Sequence, residues 1–313
     1  MKRSRTGEQE LLEDGREYHV HHGDCIEHMR EMSPACIDHA VFSPPFPAVY
    51  AYSDSVSDLG NSEDLQHDAK LHFSFFFRSL LRVMKPGRAV ICHCTQIAVL
   101  KRTGGDGLFD FRGMLIRLAQ RAGFVYEYDW LIRVSPQAQA IRTHSHELQF
   151  AGLEKDRANC RGALGMYLIK LQAPGENAVR VNTPGEVTRD NWIDWAEPCW
   201  SDIVETDTLN VEEARDEKDT RHICPMQLGI YERSIRLYTN PGEIVLDPFA
   251  GIGSGGFVAV GGASPKTGRY VPNERRFYGI ELKPSYHAAS LRNCERGIAS
   301  RKARQKTLFD SLV

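Results

Sequence analysis

No stretch of eighteen or more apolar residues occurs in this 313-residue chain, so no segment reads as a membrane-spanning helix and no membrane partner is expected. The charged start MKRSRTGEQE is followed by no apolar run, and a secretory signal is not expected. Neither sign of charge prevails: 39 Lys and Arg stand against 41 Asp and Glu, a formal net charge of −2. That excludes a protein that coats nucleic acid by global positive charge, so any phosphate contact must come from a local patch. Internal repeats and low-complexity segments are lacking, which excludes repeat architectures. Eight cysteines without secretory context are expected to be reduced thiols in the cytoplasm. The tightest group, Cys92-His93-Cys94, sits in the apolar run RAVICHC, and no second ligand pair follows at zinc spacing. It reads as buried core thiols, and no metal is expected.

What the chain does contain is an alternation of strand-like and helix-like stretches. EYHVHHGD, IDHAVF, RAVICHC, FVYEYDWLIRV, GEIVLDPF and FYGIEL read as strands. CIEHMREMS, DLQHDAKLHFSFFFRSLLRVMKPG, FRGMLIRLAQRAGF, MQLGIYERSIRLYT and PSYHAASLRNCERG read as helices. Such alternation predicts one α/β domain over residues 1–313, with a mostly parallel sheet and helices on both faces. From about Ser135 to Asp219 the periodicity fades into Gly, Pro and polar punctuation, which predicts an irregular insertion. From Ser264 to Lys306 eleven Lys or Arg stand against three acids. A run of this kind is either the solvated face of a helix or a phosphate-binding strip.

Two strand ends carry chemistry. At the first, HAVF runs into Ser43-Pro44-Pro45-Phe46. Two prolines remove two backbone donors and keep two rigidly placed acceptors. That is a poor way to extend a sheet and a good way to present carbonyl oxygens to a group carrying N–H. At the second, GEIVLDPFAGIGSGGFVAV runs a β-branched strand into Asp247-Pro-Phe249 and then Gly251, Gly253, Gly255 and Gly256. Glycines here let the backbone approach a ligand, and the following helix aims its N–H groups at it. The dinucleotide fingerprint is G-x-G-x-x-G, and this turn is spaced differently. Asp247 at the strand end can accept from a ligand ammonium, and Glu281, at the end of FYGIEL, stands where an acid commonly binds ribose hydroxyls. The turn and its acid pair predict an adenosine-type ligand.

SPPF early and VLDPFAGIGSGG late together resemble the S-adenosylmethionine-dependent DNA amino-methyltransferases. The order, catalytic motif first and cofactor motif last, is similar to that of their permuted β group, and the resemblance covers Tyr18 to Glu295. It implies a Rossmann-like, doubly wound, mostly parallel sheet with circularly permuted motif order, S-adenosyl-L-methionine as cofactor and double-stranded DNA as partner. By the same resemblance, Ser43 and the Pro44 carbonyl would accept from the exocyclic amine of a flipped base. Pro45 would keep the turn rigid, and Phe46 would stack on the base. Asp247, Phe249, Gly251 and Gly253 would line the methionine end of the cofactor, Glu281 would take its ribose, and Asp24 would lie beside its adenine. His222 matches a histidine in the helix before the cofactor strand. The usual His-Pro-x-x-Lys-Pro reads His222-Ile-Cys-Pro-Met-Gln here and lacks the lysine.

Members with Ser first in the catalytic motif are mostly cytosine-N4 enzymes and those with Asp mostly adenine-N6 enzymes. Ser43 therefore favours cytosine N4, with adenine N6 as the alternative. Methyltransferases of RNA or of glutamine amides more often carry Asn there, with the cofactor motif first. SDSVSDLGN and LGMYLIKLQAPGEN resemble methylases carried by phages and prophages, and restriction–modification is an expected setting. The irregular stretch 135–219 holds Gln137, Gln139, Arg142, His144, His146, Arg157, Asn159 and Arg161, types that read base edges, and is expected to be the target-recognition insertion. Gln305-Lys-Thr-Leu308-Phe309 resembles the peptide by which bacterial replication proteins dock on the sliding clamp. Residues 300–313 are expected as a flexible tail with Leu308 and Phe309 as anchors. The other reading of the tail is a last helical turn laid on the core.

Overall fold

The structure is a computed structural model and describes residues 15–47, 58–61, 64, 67–99, 107–143, 153–154, 157–210 and 225–310. Its strands are β1 (Tyr18–His22), β2 (His39–Phe42), β3 (Ala89–Thr95), β4 (Ile97–Ala98), β5 (Leu108–Phe109), β6 (Val125–Ile132), β7 (Met166–Gln172), β8 (Cys199–Trp200), β9 (Ile244–Asp247) and β10 (Arg276–Glu281). Its helices are α1 (Cys25–Glu31), α2 (Asp68–Val83), α3 (Phe111–Ala122), α4 (Pro136–Thr143), α5 (Arg189–Trp195), α6 (Leu228–Tyr238), α7 (Ser254–Ala259) and α8 (Pro284–Asp310). Eight strands form one sheet in the order β1-β10-β9-β2-β3-β7-β6-β8. The pairs from β1 to β3 are parallel, β7 is antiparallel to both neighbours, and β8 runs parallel to β6.

The central parallel strands are apolar on both faces, because both are covered. Strand alternation sends Phe42, Cys92 and Leu246 into one core with Phe73, Phe76, Phe77 and Leu80 of α2 and Met114 and Leu115 of α3. It sends Val41, Ile91 and Val245 into the other with Tyr231 and Ile235 of α6 and Phe257 of α7. Each fully buried side chain of this kind contributes about 1.5–3 kcal/mol, so the phenylalanine row of α2 anchors one whole layer. Local signals set the helix ends. Asp110 caps α3 by accepting from the Gly113 amide at 2.9 Å, and Gly123 closes it at φ 113°.

The stretch 135–219 is not a separable insertion. It supplies β7 and β8, and β7 pairs along its full length with β3. Met166 lies opposite Thr95 and Gln172 opposite Ala89. The connection before β7 therefore sits at the C-terminal end of the parallel strands, and the segment after it starts from the opposite end. There the Asn182 amide donates to Asn240 Oδ1 at 3.0 Å, beside the start of β9. The tail also differs from expectation: α8 runs unbroken to Asp310, so residues 300–310 are helical rather than flexible. Arg301 holds them in place by donating to Glu17 at 2.9 Å and to the Val260 carbonyl at 3.1 Å, and Arg304 donates to the Gly261 carbonyl. The side chains of Leu308 and Phe309 lie outside the described residues.

Candidate active site

β1, β10, β9 and β2 are neighbours and parallel, so their C-terminal ends share one edge of the sheet, where open α/β sheets bind ligands. A cleft, open at its mouth, lies along that edge. Asp24 follows β1, Ser43 to Phe46 follow β2, Phe249 and Gly251 follow β9, and Glu281 ends β10; all line the cleft. The two chemical strand ends thus meet in one space.

On the cofactor side the carboxylates are oriented by backbone. Glu281 Oε2 accepts from the Gly251 amide at 2.7 Å and Oε1 from the Lys283 amide at 2.9 Å, leaving lone pairs on each oxygen. Burial pushes its pKa from 4.5 up to about 7. Asp24 caps α1, with Oδ1 accepting from the Ile26 and Glu27 amides at 2.6 and 3.1 Å. Gly251 lies at φ 54°, and a Cβ there would meet nothing nearer than 3.9 Å, so the wall beside it is open. Ser254, at the start of α7, faces the same space with a buried Oγ that has no hydrogen-bond partner.

Two expected site residues do not line the cleft, and a third lies outside the described residues. Asp247 is fully buried behind the wall. Its Oδ2 accepts from Tyr231 Oη at 2.7 Å and its Oδ1 from the Phe249 amide at 3.0 Å, so it holds wall residues instead of facing a ligand directly. Burial raises its pKa from 3.8 to about 7. Gly253 does not line the cleft either. It caps α7 at φ 84°, and a Cβ on it would lie 2.7 Å from Ser290 Cα and 2.9 Å from Ser290 O. Gly253→Ala combines left-handed strain with a backbone clash against α8, and is expected to cost about 3 kcal/mol, read as a lowered urea midpoint. His222 lies outside the described residues.

On the catalytic side, Pro44 is buried, and Ser43, Pro45 and Phe46 are half-buried. Phe46 stands 5.7 Å from Phe111, ring to ring, and Phe249 stands 4.9 Å from Phe76 and 5.8 Å from Phe42. An aromatic floor therefore supports both halves.

The profile of the N6/N4 DNA methylase family matches residues 37–292. The chain belongs to this family. Solved structures share the fold of this methylase. A candidate DNA modification methylase from Thermus thermophilus, complexed with S-adenosyl-L-methionine, aligns over 90% of this chain and 96% of its own with a TM-score of 0.62 and 19% identity. The cytosine-N4-specific PvuII DNA methyltransferase aligns over 89% of this chain and 86% of its own with a TM-score of 0.61 and 19% identity. No curated protein sequence matches the chain.

The methylase's cleft suits an adenosine-type cofactor: Glu281 and Asp24 offer acceptor oxygens to hydroxyls or amines, Phe249 an apolar face, and the orphaned Ser254 Oγ a polar contact. The lining also includes Asp58, Tyr231, Lys283 and Tyr286, to which sequence reading assigned no role. Lys283 and Tyr286 follow Glu281 closely enough to be inferred from it. Tyr231 carries no signal beyond its place on an apolar helix.

Two sequence expectations about DNA contacts are narrowed by packing. In the basic stretch, Arg275 forms a buried pair with Glu186 at 2.9 Å, Arg269 donates to Asp202 at 3.3 Å, Lys266 to the Thr206 carbonyl, and Arg301 and Arg304 tie down α8. Arg275, Arg301 and Arg304 are committed to the fold, while Arg292, Arg296, Lys302 and Lys306 stay exposed along α8. Gln139 is buried, and its amide is spent on Leu164, accepting from the amide at 2.7 Å and donating to the carbonyl at 3.0 Å. It fastens α4 to the chain before β7 and does not face solvent. Gln137 and Arg157 are exposed; His144 and His146 lie outside the described residues.

Proposed function

We propose that this methylase is a site-specific DNA methyltransferase acting on the exocyclic amine of a flipped base, cytosine N4 in preference to adenine N6. The observation that carries the reading is the placement of Ser43 to Phe46 in the same cleft as Gly251 and Glu281. The cofactor is S-adenosyl-L-methionine, and when bound it supplies an electrophilic methyl group on a sulfonium. An exocyclic amine is a poor nucleophile because its lone pair is delocalised into the ring. Ser43 Oγ and the Pro44 carbonyl accept its two hydrogens and hold them out of the ring plane, which draws the lone pair back onto nitrogen. Pro44 and Pro45 keep these acceptors fixed, so the geometry is ready before the base arrives. A base in a duplex cannot reach the cleft and must be flipped, and Phe46 offers it a stacking face. Glu281 accepts from ribose hydroxyls, and Asp24 sits on the adenine side.

Target recognition falls to the stretch 135–219: the connection between β6 and β7 leaves and rejoins the sheet at the catalytic end, and β8 brings the segment after β7 back beside Leu131 and Ile132. A sliding-clamp contact through Gln305, Leu308 and Phe309 would require the last turns of α8 to unwind. The resemblance of SDSVSDLGN and LGMYLIKLQAPGEN to phage-carried methylases supports a setting in DNA modification of the kind prophages carry.

The test is transfer of labelled methyl from S-adenosyl-L-methionine to unmodified duplex DNA, followed by nucleoside analysis. N4-methylcytosine is expected. N6-methyladenine would overturn the base assignment and keep the mechanism. Absence of label in DNA from a protein that binds the cofactor would overturn the DNA reading in favour of an RNA or glutamine-amide substrate.

A further inference from the structure

The trio Cys92-His93-Cys94, which reads as core in the sequence, is split by the pleat of β3. Cys92 and Cys94 enter the apolar core beneath α2 and α3, and alternation turns His93 to the other face. There its ring is 7% exposed, Nδ1 lies 3.4 Å from Ser43 Oγ, and Nε2 is enclosed with no hydrogen-bond partner. We propose that His93 is the positioning residue for Ser43: its Nδ1–H donates to Ser43 Oγ and turns the serine O–H outward, toward the ring nitrogen beside the amine of the flipped base. This deepens the amino-methyltransferase reading and rests on it.

A neutral imidazole has one N–H and one bare nitrogen. With the proton on Nε2, a donor would be buried without an acceptor, the rarer and costlier defect. With the proton on Nδ1, the donor finds Ser43 Oγ and only a bare nitrogen is left unpaired. Burial keeps the ring neutral by lowering its pKa to about 4, so no charge stands behind the serine. The contact is at the long end for a hydrogen bond, as catalytic contacts often are before substrate binds.

The consequence is a donor–acceptor pair on one oxygen. Ser43 Oγ keeps a second lone pair for the amine hydrogen, while its own hydrogen seeks an acceptor in the ring. Cytosine N3 and adenine N1 are bare nitrogens next to an amine, and both satisfy it. Thymine and guanine carry N–H at that ring position and offer the serine hydrogen no acceptor there.

Two measurements test this. The first is ¹⁵N NMR of histidine-labelled, cofactor-free protein, with His93 assigned by its loss in His93→Asn. The Nδ1–H tautomer is expected, with its resonances shifted in Ser43→Ala; the Nε2–H tautomer, or no shift, would overturn the contact whether or not DNA is the substrate. The second is turnover on duplex DNA that the wild type methylates. His93→Leu is expected to lower kcat about tenfold, with the cofactor Kd within about twofold, and His93→Asn, which can restore an N–H near the Nδ1 position, to recover most of it. Replacing target cytosine by 3-deazacytosine should cost the wild type a similar factor and His93→Leu much less. Wild-type kcat in His93→Leu, or equal losses on both substrates for both proteins, would sink the proposal. A wild type that methylates no DNA would overturn the functional reading, and the tautomer would still decide the contact.

Discussion

Ser43→Ala is expected to slow methyl transfer by about a hundredfold or more while the affinity for S-adenosyl-L-methionine stays within about twofold. The asymmetry follows from where Ser43 stands. It leaves β2 between two buried residues, Phe42 and Pro44, so its oxygen is held by the backbone of the sheet. Alanine keeps that backbone and removes only the oxygen. The amine then loses one of its two acceptors, and its lone pair stays in the ring. Among the described residues of the turn, Pro44, Pro45 and Phe46 carry no ionisable group, and burial lowers the pKa of His93 behind them to about 4. The cofactor contacts come from other strand ends, Asp24 after β1 and Glu281 on β10, and do not depend on the hydroxyl. Single-turnover transfer of labelled methyl reads the first quantity and titration calorimetry the second. Equal loss of both would mean that Ser43 supports the scaffold and not the chemistry.

Asp247→Asn is expected to stabilise the cofactor-free methylase at pH 8 and to weaken cofactor binding. The native carboxyl is buried, and its pKa is raised from 3.8 to about 7. Between those two values the native state holds a proton that the unfolded chain has released. Stability therefore falls as pH rises from about 4 to about 7 and stays low above that. The whole shift corresponds to on the order of 4 kcal/mol, already net of the bonds that Asp247 accepts from Tyr231 and the Phe249 amide. An asparagine has no charge to bury and can still accept from the Phe249 amide. Its Tm should exceed that of the wild type at pH 8, and the gap should close toward pH 4. Binding runs the other way, because a cationic cofactor favours the ionised carboxylate. Wild-type affinity should rise from pH 6 to pH 8, and Asp247→Asn should bind more weakly with a flatter profile. A variant no more stable than the wild type at pH 8 would show that the carboxylate is accommodated without penalty.

Much of this architecture is legible locally. The strands at Tyr18, His39, Ala89, Val125, Ile244 and Arg276 and the helices that alternate with them declare themselves by apolar spacing, because a strand or helix beside a core must repeat its own period. β7 is different. MYLIKLQ lies between β3 and β6, with partly buried residues mixed among buried ones, so no clean alternation marks it. Its partner on β3 is distant in the chain, and a pairing over that separation leaves no local trace. The cations of the basic stretch show the same limit. Arg275 and Arg292 read alike in sequence, yet one is buried against Glu186 and the other faces solvent. Gln139, a base reader by type, is a fastener by position. Asp247 ends its strand as expected but is fully buried, with its oxygens accepting from Tyr231 and the Phe249 amide.

The sequence by itself determined the order of the elements and the two chemical strand ends, the proline pair after β2 and the glycine turn after β9, because both are written in consecutive residues. Only the tertiary structure decided that they share a cleft, since β9 enters the sheet between β10 and β2 although it comes late in the chain. It alone set His93 behind Ser43, where the parallel pairing of β2 with β3 lays Phe42 opposite Cys92. Such neighbours arise from strand register, and register is chosen by burial across the whole sheet, beyond the reach of any local period.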